Sequence, residues 1–235
     1  MGIILKNIKK QYKENILYEN LNMEIKSGEV FALIGPNGVG KTTLMRMILG
    51  WENDYQGEIL MNEGDTIGYS PEIPDFPKIL TGREVLEFFM EVRGMDRNSI
   101  KEMSLKLLET VGLEDSKTKV KNYSKGMKQR LAVAQSLIGD PDILLLDEPS
   151  AGLDFFGQVQ MQELISNLKS NDKTILLNSH LLYDVEKVCD RGIIIMENGV
   201  YRDFQKSDFE KTSLGDMFLE LAKEDRNESF NKIAS

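Results

Sequence analysis

The sequence predicts an α/β fold: a mainly parallel sheet covered by helices, with an N-terminal antiparallel β part and an inserted α-helical part. Three observations predict it. Beyond Gly139-Asp140-Pro141 the pattern alternates between strand (Ile143 to Leu146), helix (Gln158 to Leu168), strand (Thr174 to Leu177), helix (Leu181 to Cys189) and strand (Ile193 to Met196). Such alternation implies parallel strands joined by helical crossovers. The runs Val30 to Ile34 and Ile143 to Leu146 are wholly apolar, as strands buried on both faces must be. Between them, from Thr81 to about Ile138, the periodicity is helical, with Ile100, Met103, Leu107 and Val111 on one face.

The elements follow in order. Ile3 to Ile8 and Leu21 to Ile25 alternate, with turn signals at Lys13 to Asn15 and Ser27-Gly28, which suggests short, half-buried antiparallel strands. Val30 to Ile34 runs straight into Gly35-Pro36-Asn37-Gly38-Val39-Gly40, and Lys41 to Leu49 reads as a helix stopped by Gly50. Pro71, Pro74 and Pro77 break the chain before the helical part. Asn198-Gly199 reads as a hairpin turn before Val200 to Phe204. The chain therefore divides into a core with its β part (1–80 and 139–206), a helical insert (81–138), and a C-terminal helix with a polar tail (207–235) that frays after Lys223.

Bulk numbers bound the function. A chain of 235 residues, 41% of them hydrophobic, can bury a substantial core. The formal charge of −9 argues against a nucleic-acid surface, which needs a net basic stripe. The one cysteine, Cys189, cannot form an internal disulfide, and no charged-then-apolar leader precedes the first strand, so the chain reads as cytosolic. Position 6 is lysine, not serine or threonine, which argues against myristoylation. The apolar runs fall far below the ~20 residues of a membrane-spanning helix.

Gly35-x4-Gly40-Lys41-Thr42, placed between a buried strand and a helix, is the phosphate-loop pattern of a P-loop NTPase core. Glycines let successive backbone N–H groups turn inward, and the helix aims its positive end at the same point. Lys41 would reach the β- and γ-phosphates of ATP, and the Thr42 hydroxyl would hold Mg²⁺. The bland alternative is a glycine turn, and the flanking strand and helix argue against it. Asp147-Glu148 ends the apolar strand, where ligands sit in a parallel sheet. Asp147 would face Mg²⁺, and Glu148, directed to the opposite side of the strand, would orient or deprotonate the attacking water. Alone, Asp-Glu-Pro would be a solvated acidic turn; behind a phosphate loop the catalytic reading prevails. His180, the one histidine, ends the next strand and would contact the γ-phosphate or steady the water. Tyr123-Ser124-Lys125-Gly126-Met127-Lys128-Gln129-Arg130 opens a helix that Ser124 would cap.

These motifs, in this order and spacing, resemble the ATP-binding subunit of an ATP-binding-cassette transporter: GPNGVGKTT, YSKGMKQR, ILLLDEPS, AGLD and the histidine of NSH, over essentially Ile3 to Phe204. The resemblance implies that Gly35, Pro36, Asn37, Gly38, Val39, Gly40, Lys41, Thr42 and Thr43 wrap the phosphates. It makes Tyr12 a candidate for stacking on adenine, Ser124, Lys125 and Gly126 signature residues, and Asp154 a subunit-contact residue. Two departures stand out. Glu72 occupies the loop where most cassettes have glutamine, keeping an acceptor oxygen for metal or water but adding a charge, and the signature reads YSKGM rather than LSGGQ. With Leu80-Thr81-Gly82-Arg83-Glu84, they resemble the branch of small exporters that includes antibiotic, lantibiotic and sodium extrusion systems.

The resemblance further implies a head-to-tail dimer of two copies with two ATP molecules at the interface, where Ser124 grips the partner's γ-phosphate. A separate integral membrane permease would receive the stroke near Glu72 to Arg93, which makes the chain peripheral on the inner face of the cell membrane. The rival reading is a soluble cassette ATPase acting on ribosomes or DNA; those in translation carry two cassettes and the repair types carry long insertions, neither of which is present. A third is a nucleotide-binding regulatory subunit that scarcely turns over. For the rest the bland reading holds: the twelve methionines are adaptable core filler, Phe88-Phe89 fits a buried helix face or a partner-facing patch, and Cys189 and Trp51 are packing residues.

Overall fold

The computed structural model describes residues 2–13, 15–170, 173–197 and 201–233. Its N-terminal sheet has three antiparallel strands in the order β2-β1-β4, formed by β1 (Ile3–Tyr12), β2 (Asn15–Ile25) and β4 (Gln56–Leu60). The central sheet has six: β5 (Ile67–Ser70), β6 (Ile143–Asp147), β7 (Thr174–Asn178), β3 (Val30–Ile34), β8 (Arg191–Ile195) and β9 (Tyr201–Gln205), in the order β5-β6-β7-β3-β8-β9. All its pairings are parallel except β8 with β9, so the sheet is mainly parallel with one antiparallel edge.

The helices are α1 (Lys41–Ile48), α2 (Gly82–Val92), α3 (Arg97–Thr110), α4 (Lys125–Ser136), α5 (Phe155–Ser170), α6 (Leu182–Val188) and α7 (Leu214–Ile233). Their starts are written in the sequence. Thr81 and Glu84 form a reciprocal capping box at α2, with Glu84 Oε2 accepting from Thr81 N at 2.7 Å. Ser124 Oγ accepts from Met127 N at 3.2 Å and caps α4.

The central strands are apolar throughout because both faces are covered. Val30, Ala32, Ile34, Leu144, Leu146, Ile175 and Leu177 pack with the helical insert, α5 and α7. The alternate residues Phe31, Leu33, Ile143, Leu145 and Leu176 pack with α1 and the antiparallel sheet. Fully burying each such side chain contributes about 1.5–3 kcal/mol, which fixes the strand ends and so the loops that leave them.

Several expectations are corrected. β4 and β5 are absent from the sequence reading. The polar end expected to fray after Lys223 continues α7 to Ile233. Trp51 is 64% exposed and meets Tyr69 edge-on at 5.3 Å between centroids, so it is a surface residue; it lies just past the Gly50 that stops α1, beyond reach of the core. Phe88 is exposed while Phe89 packs against the core, which splits that pair. The hairpin turn at Asn198-Gly199 lies outside the described residues. Among the described residues no helix is long and apolar enough to cross a membrane.

Candidate active site

The C-terminal ends of β3, β6 and β7 open into one cleft of about 360 Å³. Asn37, Gly38, Gly40, Lys41, Thr42 and Thr43 line it from the glycine loop, and Glu72, Glu148, Asn178 and His180 complete its wall. Strand order decides this meeting. β7 lies between β3 and β6, so Asn178 and His180 stand between the loop and the acidic pair.

The loop is held open by its own backbone. Gly40, at φ 104°, immediately precedes α1, and a Cβ there would lie 2.9 Å from the Tyr18 hydroxyl. Gly40→Ala is therefore expected to cost about 1–3 kcal/mol in strain and to weaken nucleotide binding. Thermal unfolding and nucleotide titration check both, and a variant that keeps both would show that the loop tolerates a side chain.

Lys41 is buried, and its Nζ donates to Gly35 O at 2.7 Å and Pro36 O at 2.9 Å. Desolvation lowers its pKa, while the nearby carboxylates of Glu148, Asp147 and Glu72 act in the opposite sense. An ammonium held inside a loop of turned glycines is a cradle for anionic oxygens. Val39 buries its side chain in the core beneath the loop, which leaves its backbone N–H as the group it can offer to a phosphate.

Below the loop, Asp147 is 2% exposed. Asn178 Nδ2 donates to its Oδ1 at 2.5 Å, while the Thr42 hydroxyl at 3.2 Å and the Tyr69 hydroxyl at 3.3 Å donate to its Oδ2. Burial first, and then Asp147, push the Tyr69 phenol up to about 12, so it stays a donor. Asp147 and Glu148 do diverge, but not through the alternation of an extended strand. β6 ends at Asp147, and Glu148 sits in the left-handed region at φ 50°, with its N–H donating to Asn178 O at 2.9 Å. A non-glycine residue there is strained, and the turn directs the buried Glu148 carboxylate to His180, whose Nδ1 lies 2.7 Å and whose N–H lies 3.3 Å from Oε2. Burial raises the Glu148 pKa, and His180 and Lys41 oppose that rise.

The hard oxygens of Thr42 and Asp147, 3.2 Å apart at the loop, suit Mg²⁺, which takes one or two protein oxygens and completes its shell with phosphate and water. Among the described residues no group of three or more His, Cys, Asp or Glu side chains could hold a metal ion. Glu72 lines the same cleft, and its backbone carbonyl accepts from Gln129 Nε2 of α4 at 2.8 Å.

Tyr12 does not line the phosphate cleft. Its hydroxyl donates to Glu52 Oε2 at 2.6 Å. Ser124, Lys125, Gly126 and Asp154 line a different cleft of about 550 Å³. Asp154 Oδ1 there accepts from Gly157 N at 2.8 Å and caps α5. One chain thus carries a phosphate loop and a signature that do not share a cavity. The sequence reading missed Asn178, Tyr69 and Gln129. The single polar residue closing the apolar run TILLN was the signal available for Asn178.

Comparison with known proteins identifies the family. The family model described as ABC transporter matches residues 18–151. The lantibiotic transport ATP-binding protein SrtF of Streptococcus pyogenes is 38% identical over 207 residues, covering 82% of this chain and 89% of that protein. An ABC transporter ATP-binding protein of Nostoc sp., all4389, is 40% identical over 187 residues, 75% of this chain and 56% of its own length. The chain thus spans about half the length, 56% and 52%, of two curated relatives that it matches. The dimeric post-hydrolysis structure of the ATP-binding cassette MJ0796, bound to ADP and Pi, superposes with a TM-score of 0.76 at 25% identity, covering 87% of this chain and 98% of that one. The chain belongs to the ABC transporter family as an ATP-binding domain.

Proposed function

We propose that this chain hydrolyses ATP to ADP and phosphate and so powers a membrane transporter of exporter type. The observation that carries the reading is the Glu148 carboxylate, buried at the wall of the phosphate-loop cleft and hydrogen-bonded to His180 at 2.7 Å. Lys41 and the loop N–H groups hold the β- and γ-phosphates. Glu148 takes the proton of the attacking water, and His180 steadies Glu148 and the γ-phosphate. Thr42 and Asp147, with Glu72 at the rim, hold Mg²⁺, which when bound neutralises charge developing on the phosphate oxygens.

The phosphate loop and the signature lie in separate clefts, which supports a head-to-tail dimer in which Ser124, Lys125 and Gly126 close on the nucleotide of the partner copy, with Asp154 at the contact. Loss of the γ-phosphate removes hydrogen bonds across that interface and lets the dimer open. Ile73 and Val92, exposed by 81% and 68%, adjoin Pro74 and Arg93 of a groove also lined by Trp51, Tyr69 and Pro71. An apolar rim on a groove supports docking of a separate permease there, and so a peripheral place on the inner face of the membrane. Sedimentation of a native lysate tests the assignment: the chain is expected with membranes, and recovery with ribosomes or DNA would overturn the transporter reading.

The pH profile follows from the burial of Glu148. A base must be deprotonated, and its pKa is raised above the ordinary glutamate value of 4.5. Turnover at saturating ATP is expected to fall on acidification through that raised value. A profile still flat below pH 4.5, in protein that remains folded, would contradict the role of Glu148.

A further inference from the structure

Outside the phosphate cleft, one buried cation has no part in the mechanism above. Lys10, near the end of β1, is 1% exposed. Its Nζ donates to Asp54 O at 2.5 Å and lies 3.2 Å from Glu52 Oε1 and 3.3 Å from Asp54 Oδ2. The same Nζ sits over the Tyr12 ring, 4.2 Å from its centroid. Glu52 closes the circuit by accepting from the Tyr12 hydroxyl at 2.6 Å. The ring is therefore fixed twice, at its face by the ammonium and at its hydroxyl by the carboxylate.

We infer that Lys10 and Glu52 are positioning residues that hold the Tyr12 ring as a prebuilt platform for the nucleobase of ATP. This rests on the reading of Tyr12 as the base-stacking residue. Three features support it. One ring face is met by the Lys10 ammonium, and Tyr12 as a whole stays 44% exposed, which leaves surface for a base. A ring already held in place loses little conformational freedom when a base stacks on it. A cation behind the ring draws on its negative face, which eases stacking of an electron-rich purine on the free side.

The location fits. Glu52 follows α1, and its N–H donates to Arg46 O at 3.2 Å, so the helix that starts at the phosphate loop also anchors the platform at its far end. The charges are consistent with a permanent circuit. The Tyr12 hydrogen bond first, and then Asp54 N–H and Lys10, hold the Glu52 carboxyl down at about 2. Burial pulls the Lys10 ammonium down, but the hydrogen bonds to Glu52 and Asp54 outweigh it and its pKa is raised. The platform as described offers the base an aromatic surface.

Affinities of the full chain for Mg·ATP and for Mg·tripolyphosphate separate base from phosphate binding. Tyr12→Ala and Lys10→Met are each expected to weaken ATP by about tenfold, the scale of one aromatic–base stack, while leaving tripolyphosphate unchanged. Glu52→Ala, at the half-buried rim, should behave like Lys10→Met without emptying a buried site, and Glu52→Gln, which still accepts from the Tyr12 hydroxyl, should restore ATP affinity. If Tyr12→Ala is selective for ATP but Lys10→Met and Glu52→Ala lower both ligands equally or neither, the positioning role fails while the stacking reading stands. If Tyr12→Ala lowers both ligands equally or neither, the stacking reading itself fails, and the inference with it.

Discussion

Replacing Glu148 by glutamine is expected to lower ATP hydrolysis by about 10²–10⁴-fold, the usual contribution of a positioned general base, while Mg·ATP still binds. The substitution keeps the shape and one carbonyl oxygen to accept from His180, which reaches the present carboxylate at 2.7 Å through Nδ1. It removes the base and one negative charge from a cleft that must hold a polyanion. With hydrolysis blocked, the γ-phosphate contacts of the proposed dimer should persist, and a nucleotide-bound dimer should accumulate in gel filtration. Turnover at the normal rate would show that water activation lies elsewhere.

The same variant has a stability signature. Burial raises the Glu148 pKa, so the folded state binds its proton more tightly than the unfolded chain does. The stability linked to that proton is complete below the ordinary value of 4.5 and is lost as pH rises through the folded value. At neutral pH the buried carboxylate therefore costs stability, and the strained φ of 50° adds to that cost. Glutamine removes the charge, so the variant should melt no lower than the parent at neutral pH. An inactive variant that is also destabilised would point to a collapsed site rather than a missing base.

Replacing Lys41 by alanine should weaken Mg·ATP binding by about 10²-fold or more, as loss of one member of a buried, hydrogen-bonded charge pair does. Two effects act together. The cation offered to the phosphates is lost, and so are its bonds to Gly35 O and Pro36 O, which tie the helix start to the loop. Because the residue is buried at the first turn of α1, a melting curve must accompany the titration. A folded variant with undiminished affinity would remove the phosphate loop from the account.

The parts of the site that share a stretch of chain are legible in the sequence. Strand, glycine loop and helix are contiguous from Val30 to Ile48, so backbone rules alone place Lys41 and Thr42. Asp147 and Glu148 follow an apolar run whose end must lie at the ligand edge of a parallel sheet. Strand order is another matter. That β7 separates β3 from β6, and so brings Asn178 against Asp147, depends on which strands pair, and hydrophobic periodicity does not encode pairing.

The short edges were the least visible. β4 is largely exposed and finds its place through pairing with β1, and β5 has four residues, of which only Gly68 and Ser70 are buried. Neither offers an apolar pattern long enough to read. Glu148 illustrates a different gap: its separation from Asp147 comes from a strained left-handed turn, which glutamate does not announce. The Lys10, Glu52 and Tyr12 circuit joins residues 40 and more positions apart through a salt bridge and a ring contact that tertiary structure alone creates.

The central claim is that the glycine-loop cleft holds Mg·ATP, one nucleotide per chain. Equilibrium titration of the purified chain with a fluorescent nucleotide, displaced by Mg·ATP, measures it directly. Saturable binding of one nucleotide per chain, abolished or sharply weakened by Lys41→Ala, is the predicted result. Absence of saturable Mg·ATP binding to the folded chain, alone and together with the proposed membrane partner, would contradict it.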